Sequence, residues 1–405
     1  MSPIARGACG SHEHFPHTRR GLRGRDPPAA AHLAPRTGAP CYPYGRGPTT
    51  ARPSPWRHPP PRRVPLLPLL CALTAALPLS VLCCTALGAS GVGWGDTLHY
   101  LWAGLTGGTI RQDEVAAYTI VWELRLPRAL LAAVVGAGLA AVGVGVQAMV
   151  RNALADPFVL GISSGAAVGA NAVLLFGALG SLGVWALSGA AFASALAAMT
   201  LVYAVARTAH GLTPLRLVLT GSAMYYAFSA VTTLMVFSAD RGEAARSAMM
   251  WLLGSLGGAT WSSLPIAAAA VLAGTGWLLW SARGLNALAM GDETAAALGV
   301  DAVRLRRGLF LVTAAVTGAV VAVSGAIGFV GHMVPHVTRM LVGAGHRRVL
   351  AVAPLLGAVL LVWVDLVSRL LLAPVELPVG VITALIGVPG FVLLMRRRGY
   401  VFGGS

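Results

Sequence analysis

Residues 126–150 read LPRALLAAVVGAGLAAVGVGVQAMV, an apolar run whose one charge, Arg128, stands near its start. A helix rises about 1.5 Å per residue, so a run of this length reaches across the roughly 30 Å hydrocarbon core of a bilayer with some tilt. Nine more apolar stretches lie on either side of it, at about 64–87, 158–179, 183–206, 215–238, 261–282, 308–327, 328–344, 349–373 and 378–395. The chain is 56% hydrophobic and 11% charged, and these stretches predict an all-α polytopic membrane protein with about ten transmembrane helices. Glycine and alanine crowd them, as in VVGAGLAAVGVGVQ (Val134–Gln147) and GAAVG (Gly165–Gly169). Small residues let helix backbones approach closely in lipid, where apolar burial provides little drive for association.

Charge sets the orientation. An even number of spans puts both termini on one side, and arginine concentrates in cytoplasmic loops. With the termini inside, Arg62, Arg63, Arg151, Arg207, Arg216, Arg283, Arg304, Arg306, Arg307, Arg347, Arg348 and Arg396–Arg398 are cytoplasmic, and Arg111, Arg125, Arg128, Arg241 and Arg246 fall outside. The expected location is therefore the cell membrane, multi-pass, with both termini cytoplasmic. The formal charge of +16 is no nucleic-acid signature, because much of it sits in residues 1–63. That leader is rich in Arg, Pro and Gly, lacks apolar periodicity and is expected to be a disordered extension, with a transmembrane domain over 64–405. RRVPLLPLL, Arg62–Leu70, resembles a twin-arginine signal, but the apolar run is too long for a signal core and many spans follow it.

All 30 basic residues are arginine, which excludes lysine-dependent chemistry such as a phosphate-loop lysine or a Schiff base. If ATP is used, another chain must bind it. Five cysteines, Cys9, Cys41, Cys71, Cys83 and Cys84, offer neither a disulfide framework nor metal-type spacing.

MGDETAAALGVD, Met290–Asp301, interrupts the apolar pattern between spans six and seven. Asp292 and Glu293 fall in the first turn of a predicted short helix, where acids complement the helix dipole, and Gly299 can end it. On its own the segment reads equally as a docking surface or as a solvated connector.

Four blocks in order resolve the ambiguity: RLPRALLAAVVGAGLAAVGVGVQAMVRNALADPFVLGISSGAAVGA (125–170), MGDETAAALGVD (290–301), GAIGFVGHMVPHVTRMLVG (325–343) and ELPVGVITALIGVPGFVLLMRR (376–397). With them the chain from about Pro68 onward resembles the FecCD family, permease subunits of ABC importers for iron-siderophores, haem and cobalamin. The resemblance implies a type II importer permease fold with no catalytic or metal site and no cofactor in this chain, ATP and Mg belonging to the ATPase. It implies as partners two ATPase subunits, a second permease chain, identical or paralogous, an extracytoplasmic solute-binding protein and membrane lipid, with no nucleic acid. Ferric siderophore is the first choice of cargo.

Site residues carry over by position. Gly291, Asp292, Glu293, Ala295, Leu298 and Gly299 correspond to the coupling segment that seats in the ATPase. Arg125, Arg128 and Arg369 correspond to sockets for acidic residues of the binding protein, although Asp365, four residues before Arg369, offers an intrahelical ion pair instead. Asn152, Leu154, Thr213 and Pro214 match positions that narrow the cytoplasmic end of the pathway; Ala153 replaces the family's usual proline.

Other readings are weaker. GISSG, Gly161–Gly165, satisfies a serine-hydrolase pattern, but its serine opens a membrane helix rather than a strand-to-helix turn. His332 and His336 are four apart, yet Met333 stands where a zinc hydrolase needs glutamate. An ion-coupled carrier is the main rival, with Asp365 the one acid well inside a span.

Overall fold

The computed structural model describes residues 64–88, 91–208, 211–239 and 242–396. The leader expected to be disordered, 1–63, lies outside these residues, as do Arg241, Arg397 and Arg398. Fifteen α-helices follow one another: α1 Leu66–Ala86, α2 Trp94–Thr106, α3 Val115–Tyr118, α4 Leu126–Val150, α5 Ile162–Phe176, α6 Ala186–Ala206, α7 Pro214–Phe237, α8 Gly242–Leu252, α9 Leu264–Trp280, α10 Ala282–Ala289, α11 Asp292–Ala297, α12 Ala302–Ser324, α13 Val330–Val342, α14 His346–Leu370 and α15 Val379–Arg396. A two-residue hairpin, β1 Arg207–Thr208 with β2 Gly211–Leu212, joins α6 to α7.

Each of the ten apolar stretches forms a helix. Among the described residues six helical segments can cross a membrane by length and composition: Leu66–Ala86, Val115–Val150, Ala186–Ala206, Pro214–Phe237, Ala302–Ser324 and His346–Leu370. The pair α9 and α10, bent by 60° at Ser281, makes a seventh if counted as one span. The other three, α5, α13 and α15, are shorter, and two of them carry an internal proline, Pro335 and Pro389. Proline removes a backbone donor, and neighbouring helices make that tolerable inside a membrane protein.

Helix α4 is the central element. From Gly138 to Val150 every residue is buried, so this half of the helix has no lipid-facing stripe. It packs against α14, α12, α13 and α9. Its glycines are where two of these contacts close: a Cβ on Gly136 would strike the carbonyl of Gly357 in α14, and one on Gly143 would strike the carbonyl of Gly331 in α13. A π-helical segment, Thr119–Arg125, runs directly into α4, with Pro127 in the first turn where its missing N–H is not needed. Within it Trp122 stacks on Tyr118 at 6.4 Å and meets Trp261 at a tilt, with centroids 5.1 Å apart.

Four helices, α2, α3, α8 and α10, fall outside the ten apolar stretches and the 290–301 segment. Helix α2 lies between spans one and two and leaves Trp94, Leu98, Trp102 and Leu105 exposed. Helix α8 follows α7 with Trp251 turned inward.

Candidate functional site

At one end of α4 the three arginines assigned to docking meet in one place. Arg125, Arg128 and Arg369 line a cavity of about 430 Å³ together with Glu376. They are not free prongs. Arg128, 9% exposed, donates through Nε to Asp365 Oδ1 at 2.9 Å and through Nη1 to both oxygens of Glu376 at 3.0 and 2.9 Å. Arg369 Nε lies 3.1 Å from Asp365 Oδ2, and its Nη2 donates to the Cys84 carbonyl at 3.0 Å. The intrahelical pair read as the alternative for Arg369 is therefore present. Arg125, 6% exposed, donates from Nη1 to the carbonyls of Thr85 and Ala86, both at 3.1 Å. Those carbonyls belong to the last turn of α1, where unpaired C=O groups attract a cation. Three guanidinium groups thus face two carboxylates, which leaves the cavity net positive.

Asp365 is 1% exposed, with one oxygen facing Arg128 and the other Arg369. Both oxygens of this one acid well inside a span therefore face guanidinium partners rather than an open path for a coupling ion. Sequence reasoning placed Asp365 beside Arg369 but missed Arg128 as its second partner and Glu376 as the other partner of Arg128. Glu376 was visible only as the acid that opens the ELPVG block.

The other end of α4 brings together the segment assigned to coupling and the two turns assigned to the gate. Gly291 precedes α11 with φ +124°. Gly299 closes the helix with φ +76°, Val300 N–H bonding the Ala295 carbonyl at 2.8 Å and Gly299 N–H that of Ala296 at 2.9 Å. This paired closure with a left-handed glycine is a common helix stop, and it explains why the short helix ends where the sequence suggested. Ala295 is fully buried, whereas Glu293 and Leu298 project outward, Leu298 being 63% exposed. Asp301 then caps α12 by accepting the Arg304 N–H at 2.9 Å.

The first gate turn follows Arg151, which adopts φ +54° at the end of α4. Asn152 Oδ1 accepts the Leu154 N–H at 2.9 Å and Asp156 Oδ1 accepts the Phe158 N–H at 2.9 Å, so side chains of the turn fix its backbone. That arrangement forms with Ala153 in place of proline. Gln147, buried in the last turns of α4, donates to the carbonyls of Ala155 at 3.3 Å and His332 at 3.2 Å. Thr213 and Pro214 form the second turn, Thr213 capping α7 with its carbonyl and Pro214 as the first helical residue.

One carboxylate joins these parts. Asp292 Oδ1 pairs with Arg151 and also accepts from Arg306 Nη2 at 2.9 Å. Burial lowers the pKa of the Arg151 guanidinium from its ordinary value, and the nearby Arg306 lowers it further; arginine remains charged throughout. Neither Arg151 nor Arg306 was singled out as a site residue, though an arginine in the opening turns of an apolar helix, as at 306, is itself a signal.

His332 is buried, its ring edge-on to Phe391 with centroids 4.9 Å apart. Among the described residues no group of three His, Cys, Asp or Glu side chains is placed to hold a metal. Ser163 is buried in the first turn of α5, which a 3₁₀ turn, Pro157–Leu160, precedes instead of a strand.

A helical bundle with an arginine-lined cavity at one end and a short presented helix beside two turns at the other has the architecture of an importer permease. Residues 76–397 match the FecCD transport family, and the chain belongs to it. Over 283 residues it is 46% identical to the cobalamin import system permease protein BtuC of Halobacterium salinarum, covering 70% of this chain and 74% of that one. It is 43% identical over 281 residues to the hemin transport system permease protein HmuU of Yersinia pestis, covering 69% and 84%. With the Fe(3+) dicitrate transport system permease protein FecD of Escherichia coli it shares 42% over 282 residues, covering 69% and 86%. A solved structure described as an inward-facing conformation of a metal-chelate type ABC transporter superposes with a TM-score of 0.70 at 31% identity, over 81% of this chain and 99% of that one. The protein is thus a multi-pass permease subunit of an ABC importer and not an enzyme; ATP hydrolysis belongs to a separate subunit.

Proposed function

We propose that this chain is one of two permease subunits of an ATP-driven importer of metal chelates, ferric siderophores first, with cobalamin and haem as the related alternatives. Relatives named for cobalamin, hemin and ferric dicitrate support the cargo class. In this reading both termini are cytoplasmic. The cavity of Arg125, Arg128 and Arg369 receives acidic residues of a solute-binding protein outside the cell. Residues 291–299 seat in an ATPase that carries ATP and Mg, while Asn152, Leu154, Thr213 and Pro214 narrow the path beside it.

The observation that carries the proposal is the arrangement along α4. The residues assigned to docking gather at one end, and those assigned to coupling and gating gather at the other. A net positive cavity suits an acidic partner, because complementary charge steers encounter and like charge opposes it. Mechanistically, ATP-driven closure of the ATPase displaces α11, and the adjoining gate turns respond. The carrier alternative loses ground with Asp365 locked between two arginines.

The test is reconstitution. Proteoliposomes holding this permease with its cognate ATPase, supplied with loaded binding protein, should take up labelled ferric siderophore, cobalamin or haem only when ATP is present on the ATPase side. Uptake of every one of these chelates without ATP, driven by a proton or sodium gradient, would overturn the proposal. Cysteine labels at Glu293 and at Arg111, reacted from one side of sealed vesicles, check the sidedness.

A further inference from the structure

Asp292 sits at a junction that the coupling and gating roles alone do not require. Arg151, which pairs with it, immediately precedes the gate turn beginning at Asn152, and its Nε also donates to the Leu288 carbonyl of α10 at 2.9 Å. Arg306, the second partner, donates from Nη1 to the carbonyl of Leu212 at 3.0 Å, immediately before Thr213 and Pro214. One oxygen on α11 is therefore one guanidinium away from each of the two gate turns.

Burial makes the connection stiff on one side. Arg306 is 3% exposed and its Nε has no partner, so its position rests on the Leu212 carbonyl and the Asp292 carboxylate. Charge-assisted bonds of this kind are shorter and stronger than neutral ones, and they are strongest where water is excluded. Asp292 itself keeps half of its side chain exposed, at the surface that α11 presents. The hairpin that carries Leu212 is braced on α12 as well, because a Cβ on Gly211 would meet the Val303 side chain at 2.8 Å.

We propose that Asp292 is a positioning residue that makes the two gate turns move together: displacement of α11 reaches Asn152–Leu154 through Arg151 and Thr213–Pro214 through Arg306 at the same time. This rests on the coupling and gate roles proposed above and adds the side chains that carry the motion. A clasp that merely stabilises the fold would lower the yield of folded protein and leave the stoichiometry of transport untouched.

The experiment uses the full complex of permease, ATPase and binding protein in proteoliposomes, with uptake per ATP hydrolysed as the readout. Asp292→Asn removes the charge and keeps the shape. It should insert, yet uptake per ATP should fall about tenfold, within the usual range of coupling between sites, and Asp292→Glu should regain most of it. Spin labels at Ala153 and Leu215, next to the two gate turns, should shift together between nucleotide states in the unaltered protein and lose that concerted shift in Asp292→Asn. Uptake per ATP within twofold of the unaltered protein, with both labels still shifting, would overturn the proposal. If Asp292→Asn does not assemble, Arg151→Gln cuts one branch alone. The Ala153 label should then stop responding while the Leu215 label continues, and both labels responding as before would again overturn it. Leu298→Arg separates this from the parent reading. Leu298 lies on the presented face outside the clasp, so normal ATPase binding and uptake in that variant would remove the coupling surface itself.

Discussion

Arg128 and Asp365, 237 residues apart in the chain, meet by a 2.9 Å Nε–Oδ1 bond between α4 and α14. The pair ties α4 to α14 at the end that lines the arginine cavity, and Asp365 is shared with Arg369, so the carboxylate balances two buried guanidinium groups. Breaking a buried ion pair by removing one partner costs about 3–5 kcal/mol, because the other charge is left uncompensated.

Asp365→Ala should therefore lower thermal stability in detergent sharply. Asp365→Asn, which keeps a hydrogen-bond acceptor, should cost less. Melting followed by size-exclusion chromatography with fluorescence detection gives the order; equal melting for both variants and the parent protein would contradict it.

Glu376 holds the outer side of Arg128 while remaining half-exposed. Glu376→Gln should release that guanidinium toward a partner's carboxylate and tighten binding of an acidic solute-binding protein several-fold at low salt. The gain should shrink as ionic strength rises and screening grows. Titration of the binding protein onto the permease in nanodiscs at two salt concentrations checks this.

Gly136 and Gly357 face each other so closely that a Cβ on either would enter the carbonyl of the other. Gly136→Val or Gly357→Val should force α4 from α14 at a cost of at least about 1–3 kcal/mol, the usual penalty for overpacking. Gly276→Ala in α9, where nothing lies within 4 Å, should be neutral or stabilising by up to about 1 kcal/mol. Folded yield and melting temperature of the three variants test the contrast.

Gly299 ends α11 at φ +76°. Gly299→Val places a β-branched residue in left-handed backbone, which costs about 1–2 kcal/mol from sterics alone, so α11 should fray and ATPase binding weaken while binding-protein docking is unchanged. A pull-down of each partner from the same membranes reads both effects.

Much of this architecture could be read directly in the amino acids. Ten apolar stretches became ten helices because periodicity and length are local properties, and α11 appeared between Gly291 and Gly299 because its start and stop are encoded within a few residues. Long-range pairing was not legible. Nothing in the local pattern of RLPR says that Arg128 meets Asp365 and Glu376, and nothing around Asp292 points to Arg306 in the next helix. The resemblance implied sockets at Arg125 and Arg128; the side chains are buried, one against the end of α1 and one in an ion-pair network. Helix α2 escaped notice for a different reason. Its apolar residues form only one face of a thirteen-residue helix, too little to stand out beside the spans.

The unbroken helical run from Val115 to Val150 has a mechanical corollary. About 35 Å of helix separates Arg128 from Arg151, at roughly 1.5 Å per residue. Buried throughout from Gly138 to Val150, such a rod tilts as a unit more readily than it bends. A rotation of about 5° around its middle would carry each tip roughly 1.5 Å in opposite directions over that length, enough to break a hydrogen bond at either tip. In the proposed reading, a partner's grip on the arginine cavity and the width of the passage at the far tip are then two readings of one angle.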